Sequence, residues 1–128
     1  EMTSSLVGSE MCIRDSAWAD VIITGEGSID SQTPYGKVPN GIAKLAQSQG
    51  KPTIAIGGTV TRDPHTIEAL NETGIVATFG IAPGSADLAT LIANTERNVE
   101  ITCAAIAGTL RVASATAVAA ATSPCESA

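Results

Sequence analysis

From Ala17 onward the chain alternates short apolar runs with longer segments of helical periodicity. Val21-Ile22-Ile23 is a β-branched run closed by Thr24-Gly25, as expected of a buried parallel strand. A polar loop follows from Glu26 to about Tyr35. Residues 36–49 then carry Val38, Ile42, Leu45 and Ala46 at helical spacing, and Gly50 supplies the stop. Thr53-Ile54-Ala55-Ile56 predicts a second strand, ended by Gly57-Gly58. Asp63-Pro64 pairs an N-cap with proline at the first helical position, opening a helix through Leu70 that stops before Gly74. A third strand is expected from Val76 to Ile81, ended by Pro83-Gly84. Ser85 or Asp87 then caps a long helix with one apolar face: Leu88, Leu91, Ile92, Val99, Cys103, Ile106 and Leu110. Beyond Arg111 the residues turn Ala-, Ser- and Thr-rich, ending in Ser123-Pro124, and this tail is expected to fray.

Strands alternating with helices across short loops define an α/β fold: a parallel sheet of about three strands with flanking helices. Three apolar strands leave exposed edges, so the expectation is a fragment of a larger architecture. In such sheets ligands gather beyond the carboxyl ends of the strands. Here those ends are residues 24–37, 57–62 and 82–85.

Composition narrows the picture. The chain has 128 residues, 44% of them hydrophobic, enough for one packed domain. Aromatics are only Trp18, Tyr35 and Phe79, so the core must be built from Val, Ile, Leu and Ala. A net charge of −6 argues against a nucleic-acid partner, which calls for a basic patch. Cys12, Cys103 and Cys125 form no metal spacing, and an odd, sparse set suits a reducing cytoplasm. No apolar run approaches the ~20 residues of a membrane span, so no membrane partner is expected.

The segment TGEGSIDSQTPYGK, residues 24–37, is the densest polar stretch. It brings Glu26, Asp30, Gln32 and Lys37 together with small residues that let a ligand approach the backbone. Gly25 and Gly27 supply two glycines of a dinucleotide fingerprint, but Asp30 stands at the third position. Gly36-Lys37 is followed by Val38 rather than Ser or Thr, which excludes a Walker A loop. By pattern alone this is a candidate anion or metal site.

Two resemblances add to this. Residues 6–16, LVGSEMCIRDS, resemble one translated frame of a transposase library adapter, and Glu1-Met2 fits the primer preceding it. Residues 1–16 are therefore expected to be an unstructured artefact, with the native chain continuing upstream of Ala17; a genuine flexible arm is the alternative. Separately, ADVIITGEGSIDSQTPYGKVPNGIAKLA, residues 19–46, resembles the signature of the glycerate kinase family, in which ADLVITGEG leads into IDxQ and GKxPxGVA. KPTIAIGGTV (51–60) and GIVATFGIAPG (74–84) are similar to later stretches of that family. Ser28 departs from it, standing where the family usually has Arg.

The resemblance implies that residues 17–112 are the C-terminal α/β portion of a two-domain, Rossmann-like glycerate kinase, followed by a tail at 113–128. It implies phosphoryl transfer from ATP, with Mg²⁺, to the small-molecule substrate D-glycerate, giving 2-phosphoglycerate. The fragment alone is expected to be inactive. The expected roles are Asp30 and Lys37 in catalysis, Gly25, Glu26, Gly27, Gln32 and Thr33 in substrate binding, and Glu26 at a metal. For Asp30 the alternative is a loop-capping aspartate, for Glu26 a solvated turn residue, and for Lys37 a plain surface lysine. His65 reads as surface decoration and Cys103 as a small core residue. Arg62 and Asp63 follow the second strand's turn and are candidates to face the same crevice. A non-catalytic α/β module binding an anion or a protein partner is the competing reading of the whole, and the missing Arg favours it.

Overall fold

A computed structural model describes residues 14–15 and 17–122. Most of the adapter-like segment, Cys12 and residues 123–128 lie outside the described residues. The chain divides into two units, residues 1–84 and 85–128.

In the first unit, β1 (Ile22–Ile29), β2 (Thr53–Val60) and β3 (Ile75–Gly80) form one sheet of order β1-β2-β3. Both pairings are parallel, with Ile22 opposite Thr53 and Thr53 opposite Ile75. A 3₁₀ turn at Thr33–Tyr35 and helix α1 (Val38–Ser48) connect β1 to β2, and helix α2 (Pro64–Glu72) connects β2 to β3. The core is Ile29, Ala43, Ala55, Leu70 and Ile75, with Val60 packed against it. These are aliphatic residues only, as the near absence of aromatics demands. The α/β class and the three-stranded parallel sheet expected from the sequence are present.

Two strands are longer than the sequence suggests. β1 runs on through Gly25-Glu26-Gly27-Ser28 to Ile29, and β2 through Gly57-Gly58 to Val60. The glycines do not end these strands; they let them stay paired. A Cβ on Gly57 would lie 2.7 Å from Thr59 O and 2.9 Å from Ile29 Cγ1, and one on Gly58 would lie 2.8 Å from Gly27 O. Glu26 therefore sits on a strand opposite Gly57, not in the loop.

The buried stripe of α1 also differs in phase from the expected one. Pro39, Asn40, Ala43 and Ala46 are buried, while Ile42 and Leu45 are half-buried and Val38 is exposed. Small side chains face the core and bulky ones lie along its flank. The start of α2 follows expectation: Asp63 accepts hydrogen bonds from Thr66 N–H at 2.9 Å and Thr66 Oγ1 at 2.7 Å, with Pro64 next in line. These bonds hold the Asp63 carboxyl below the usual carboxylate range. A depressed folded-state value stabilises the protein above the unfolded-state pKa and is lost as pH falls through the folded one. Asp63→Ala should lower the thermal midpoint by about 5 °C at neutral pH, as expected for loss of an N-cap in a small unit, and by less in strong acid. Circular dichroism melts at the two pH values check this.

In the second unit the single long helix expected is broken in two: α3 (Leu88–Ala93) and α4 (Thr95–Thr122). Asp87, one of the two anticipated caps, accepts from Thr90 N–H at 2.9 Å. Asn94 ends α3, its side-chain amide donating to Thr90 O at 2.8 Å. Leu88 and Ile92 are exposed, whereas Ile106 is buried and Cys103 only partly so. α4 continues past Arg111 through the Ala-rich segment, because alanine is the strongest helix former. Although the sequence holds no unbroken apolar run of spanning length, residues 95–121 of α4 are long and apolar enough to cross a membrane by length and composition. That apolarity comes largely from alanine, and the helix also carries Arg111.

Candidate functional site

β1 delivers Glu26, Ser28 and Asp30 in succession to the carboxyl end of the sheet, and a tight loop returns Lys37 to them. Asp30 organises that loop. Its Oδ1 accepts from Gln32 N–H at 2.9 Å, and its own N–H donates to Thr33 Oγ1 at 3.0 Å. Asp–x–backbone bonds of this kind close turns locally. Gly36, at φ 144°, then swings the chain into α1, a conformation that strains any residue with a Cβ.

Lys37 is the N-cap residue of α1, in extended conformation. A cation there opposes the helix dipole, and the structure supplies what balances it. Lys37 Nζ donates to Asp30 Oδ1 and Oδ2 at 3.1 and 3.0 Å and to Ser28 O at 3.4 Å. Glu26 Oε2 stands 4.0 Å away. The Asp30 carboxyl is held below its usual range, chiefly by the Gln32 backbone N–H and then by the Lys37 ammonium. Ser28 Oγ adds a hydrogen bond to Asp30 Oδ2 at 3.3 Å and itself receives one from Thr59 Oγ1 at 3.0 Å. Lys37, Glu26 and Asp30 are all partly shielded, with side chains 26%, 30% and 40% exposed. Glu26 Oε2 and Asn40 Oδ1 are buried acceptors without a donor.

β1 and the loop that follows it thus bring Glu26, Asp30 and Lys37 together. The other expected site residues fall differently. Thr33, expected to meet substrate hydroxyls, is fully buried with its hydroxyl committed to Asp30 N–H, so it holds the loop. Gln32 acts through its backbone, while its side chain is exposed. Gly25 lies against Ile56, and Gly27 faces open space. The Asp63 carboxylate is spent on its cap, and Arg62 is exposed. His65 is exposed in a shallow cleft with Tyr35 and Thr66, consistent with surface decoration. Thr59 carries no local signal in the sequence; only the register that sets it opposite Ser28 discloses it.

A polar cluster at the carboxyl end of a parallel α/β sheet stands where ligands gather in such folds. Residues 4–111 match the model of the glycerate kinase family, and the chain belongs to that family. The match begins within the adapter-like segment and ends at Arg111. The chain is 42% identical over 107 residues to glycerate kinase of Bacillus subtilis (strain 168), covering 84% of this chain and 26% of that protein. It is 38% identical over 81 residues to glycerate 2-kinase of Escherichia coli (strain K12), covering 63% of this chain and 20% of that protein. A solved structure from Salmonella typhimurium LT2, assigned as glycerate kinase 2, superposes with a TM-score of 0.57 at 36% identity, over 81% of this chain and 25% of that one. The chain therefore spans about a quarter of the length of these relatives.

Proposed function

We propose that this segment forms part of the cleft in which a larger, two-domain kinase transfers the γ-phosphoryl group of ATP to a hydroxyl of D-glycerate, giving 2-phosphoglycerate. The observation that carries this reading is the Lys37 ammonium, gripped by Asp30 and Ser28 O beyond the end of β1. Phosphoryl transfer asks a protein mainly for positioning and charge neutralisation. Lys37 supplies a fixed positive charge for a phosphate or carboxylate oxygen. Asp30 accepts a hydrogen bond from the attacking hydroxyl and so orients it. Its depressed pKa makes it a weak proton acceptor, so orientation is its larger role.

The residues present also fit Mg²⁺. Glu26 Oε2 is a buried carboxylate oxygen without a donor, and a hard cation prefers such a ligand. With Asp30 and Lys37, Glu26 leaves the cluster one negative charge in excess, which a cation would balance. Mg²⁺ bound there would neutralise charge on the nucleotide phosphates. A reducing cytoplasm suits Cys103, a free thiol.

A coupled assay for ADP release with D-glycerate and Mg·ATP tests the reading. The 128-residue chain alone should give no turnover, and a complete kinase carrying it should give robust turnover. Turnover by the chain alone would show that it needs no further domain. Glycerate binding without turnover by the complete protein would overturn the kinase reading in favour of a binding module.

A further inference from the structure

Thr59 and Ser28 are register partners on neighbouring parallel strands, and their hydroxyls meet at 3.0 Å. Cross-strand hydroxyl pairs often do no more than support a sheet. Here the direction of the bonds adds something. An ionised carboxylate only accepts, so in the 3.3 Å contact with Asp30 Oδ2 the Ser28 hydroxyl must be the donor. Its single proton is then spent, and Thr59 must donate to Ser28. The result is a one-way chain from Thr59 through Ser28 to Asp30, in which each bond polarises the next. The backbone carbonyl of the same Ser28 accepts from Lys37, so a displaced Ser28 would disturb both halves of the Lys37–Asp30 pair.

We propose that Thr59 is a positioning residue: its hydroxyl fixes Ser28, and through Ser28 the Asp30 carboxylate, so that β2 as well as β1 sets the geometry of the candidate site. The relay also gives Ser28 a definite task. A serine supplies a neutral donor to Asp30 but needs a second hydroxyl to aim it, and Thr59 is the group in place to do so. The consequence for phosphoryl transfer rests on the function proposed above, whereas the relay itself does not.

The test reads the Asp30 side-chain carboxyl by ¹³C NMR across an acid titration of the full 128-residue chain. Lys37 pairs with Asp30 and Glu26 Oε2 stands 4.0 Å from that ammonium, and neither residue is altered in the variants used. Thr59→Val should move the Asp30 midpoint upward, toward the ordinary carboxylate value, while Thr59→Ser leaves it in place. Ser28→Ala removes the donor itself and should shift the midpoint at least as far, and adding Thr59→Val to it should change nothing more. An unchanged midpoint in either Thr59→Val or Ser28→Ala overturns the proposal, and so does a further shift in the double variant. If Thr59→Val fails to fold, Thr59→Ala, which also lacks the hydroxyl, takes its place with the same expected upward shift and the same overturning result. Because the readout needs no turnover, a working relay in an inactive complete protein would sink the kinase reading and leave this one standing.

Discussion

In a complete kinase carrying this segment, Asp30→Ala should lower kcat by about 10²–10⁴-fold, the usual range for a positioned group that handles the reacting hydroxyl. Three bonds converge on the Asp30 carboxylate besides its backbone capping contact, and the variant releases all of them at once. Lys37 then loses its partner and its fixed position, so the charge that the proposed function assigns to the substrate becomes mobile. Asp30→Asn separates the two contributions. It keeps the shape and an acceptor oxygen but removes the charge that grips Lys37, so most of the loss should remain. Steady-state kinetics on both variants, with thermal melts as the control, decides the matter. A variant that unfolds while keeping full activity per folded molecule would make Asp30 a loop cap and nothing more.

The same carboxylate fixes a pH dependence. Its folded-state pKa lies below the reference value of 3.8. The Lys37–Asp30 pair is therefore complete throughout the neutral range and is lost only as pH falls below that value. Loss of this pair should therefore contribute nothing to a fall in activity between pH 5 and 7 in a complete kinase, which a pH–rate profile checks.

How far the residues announce this arrangement depends on whether a feature is local. The Asp63-Pro64 helix start and the Asp87 cap are short-range patterns, and both are present in the structure, whereas the expected polar loop is present only from Asp30 onward. The glycines of β1 and β2 mislead because a glycine that ends a strand and one that permits two backbones to crowd look alike in one dimension. Only the paired register, Glu26 opposite Gly57, tells them apart. The phase of α1 is misread for a related reason: hydrophobicity picks out Val38, but the face that enters the core is chosen by small size, at Ala43 and Ala46. Thr33 offers a hydroxyl in a promising loop, yet its burial follows from the turn that Asp30 closes. Thr59 lies thirty-one residues from Ser28, so no local pattern could join them.

The contrast between two glycines gives the largest expected effect on stability. Gly57→Ala places a methyl group 2.7 Å from Thr59 O and 2.9 Å from Ile29 Cγ1. The first contact is with backbone, which cannot swing aside, and the second is with a core side chain that is 1% exposed. Thr59 lies on β2 itself, so relieving the first contact requires β2 to bend locally, and relieving the second requires Ile29 to shift in the core. Overpacking of this kind costs about 2–3 kcal/mol, and for a unit of this size that lowers the melting midpoint by roughly 10–20 °C. Gly27→Ala, on the opposite strand, meets nothing within 4 Å and has no positive φ to lose. It should leave the midpoint within about 2 °C, since the chief folded-state cost is absent and the unfolded chain loses entropy. Melting both variants beside the parent chain tests the crowded pairing of the strand ends directly. Equal midpoints for the two variants would mean that Gly57 is not crowded against Thr59 O and Ile29 as described. A wide gap would show the end of β2 to be crowded as described, at the point where Thr59 meets Ser28 and supports the Asp30–Lys37 pair.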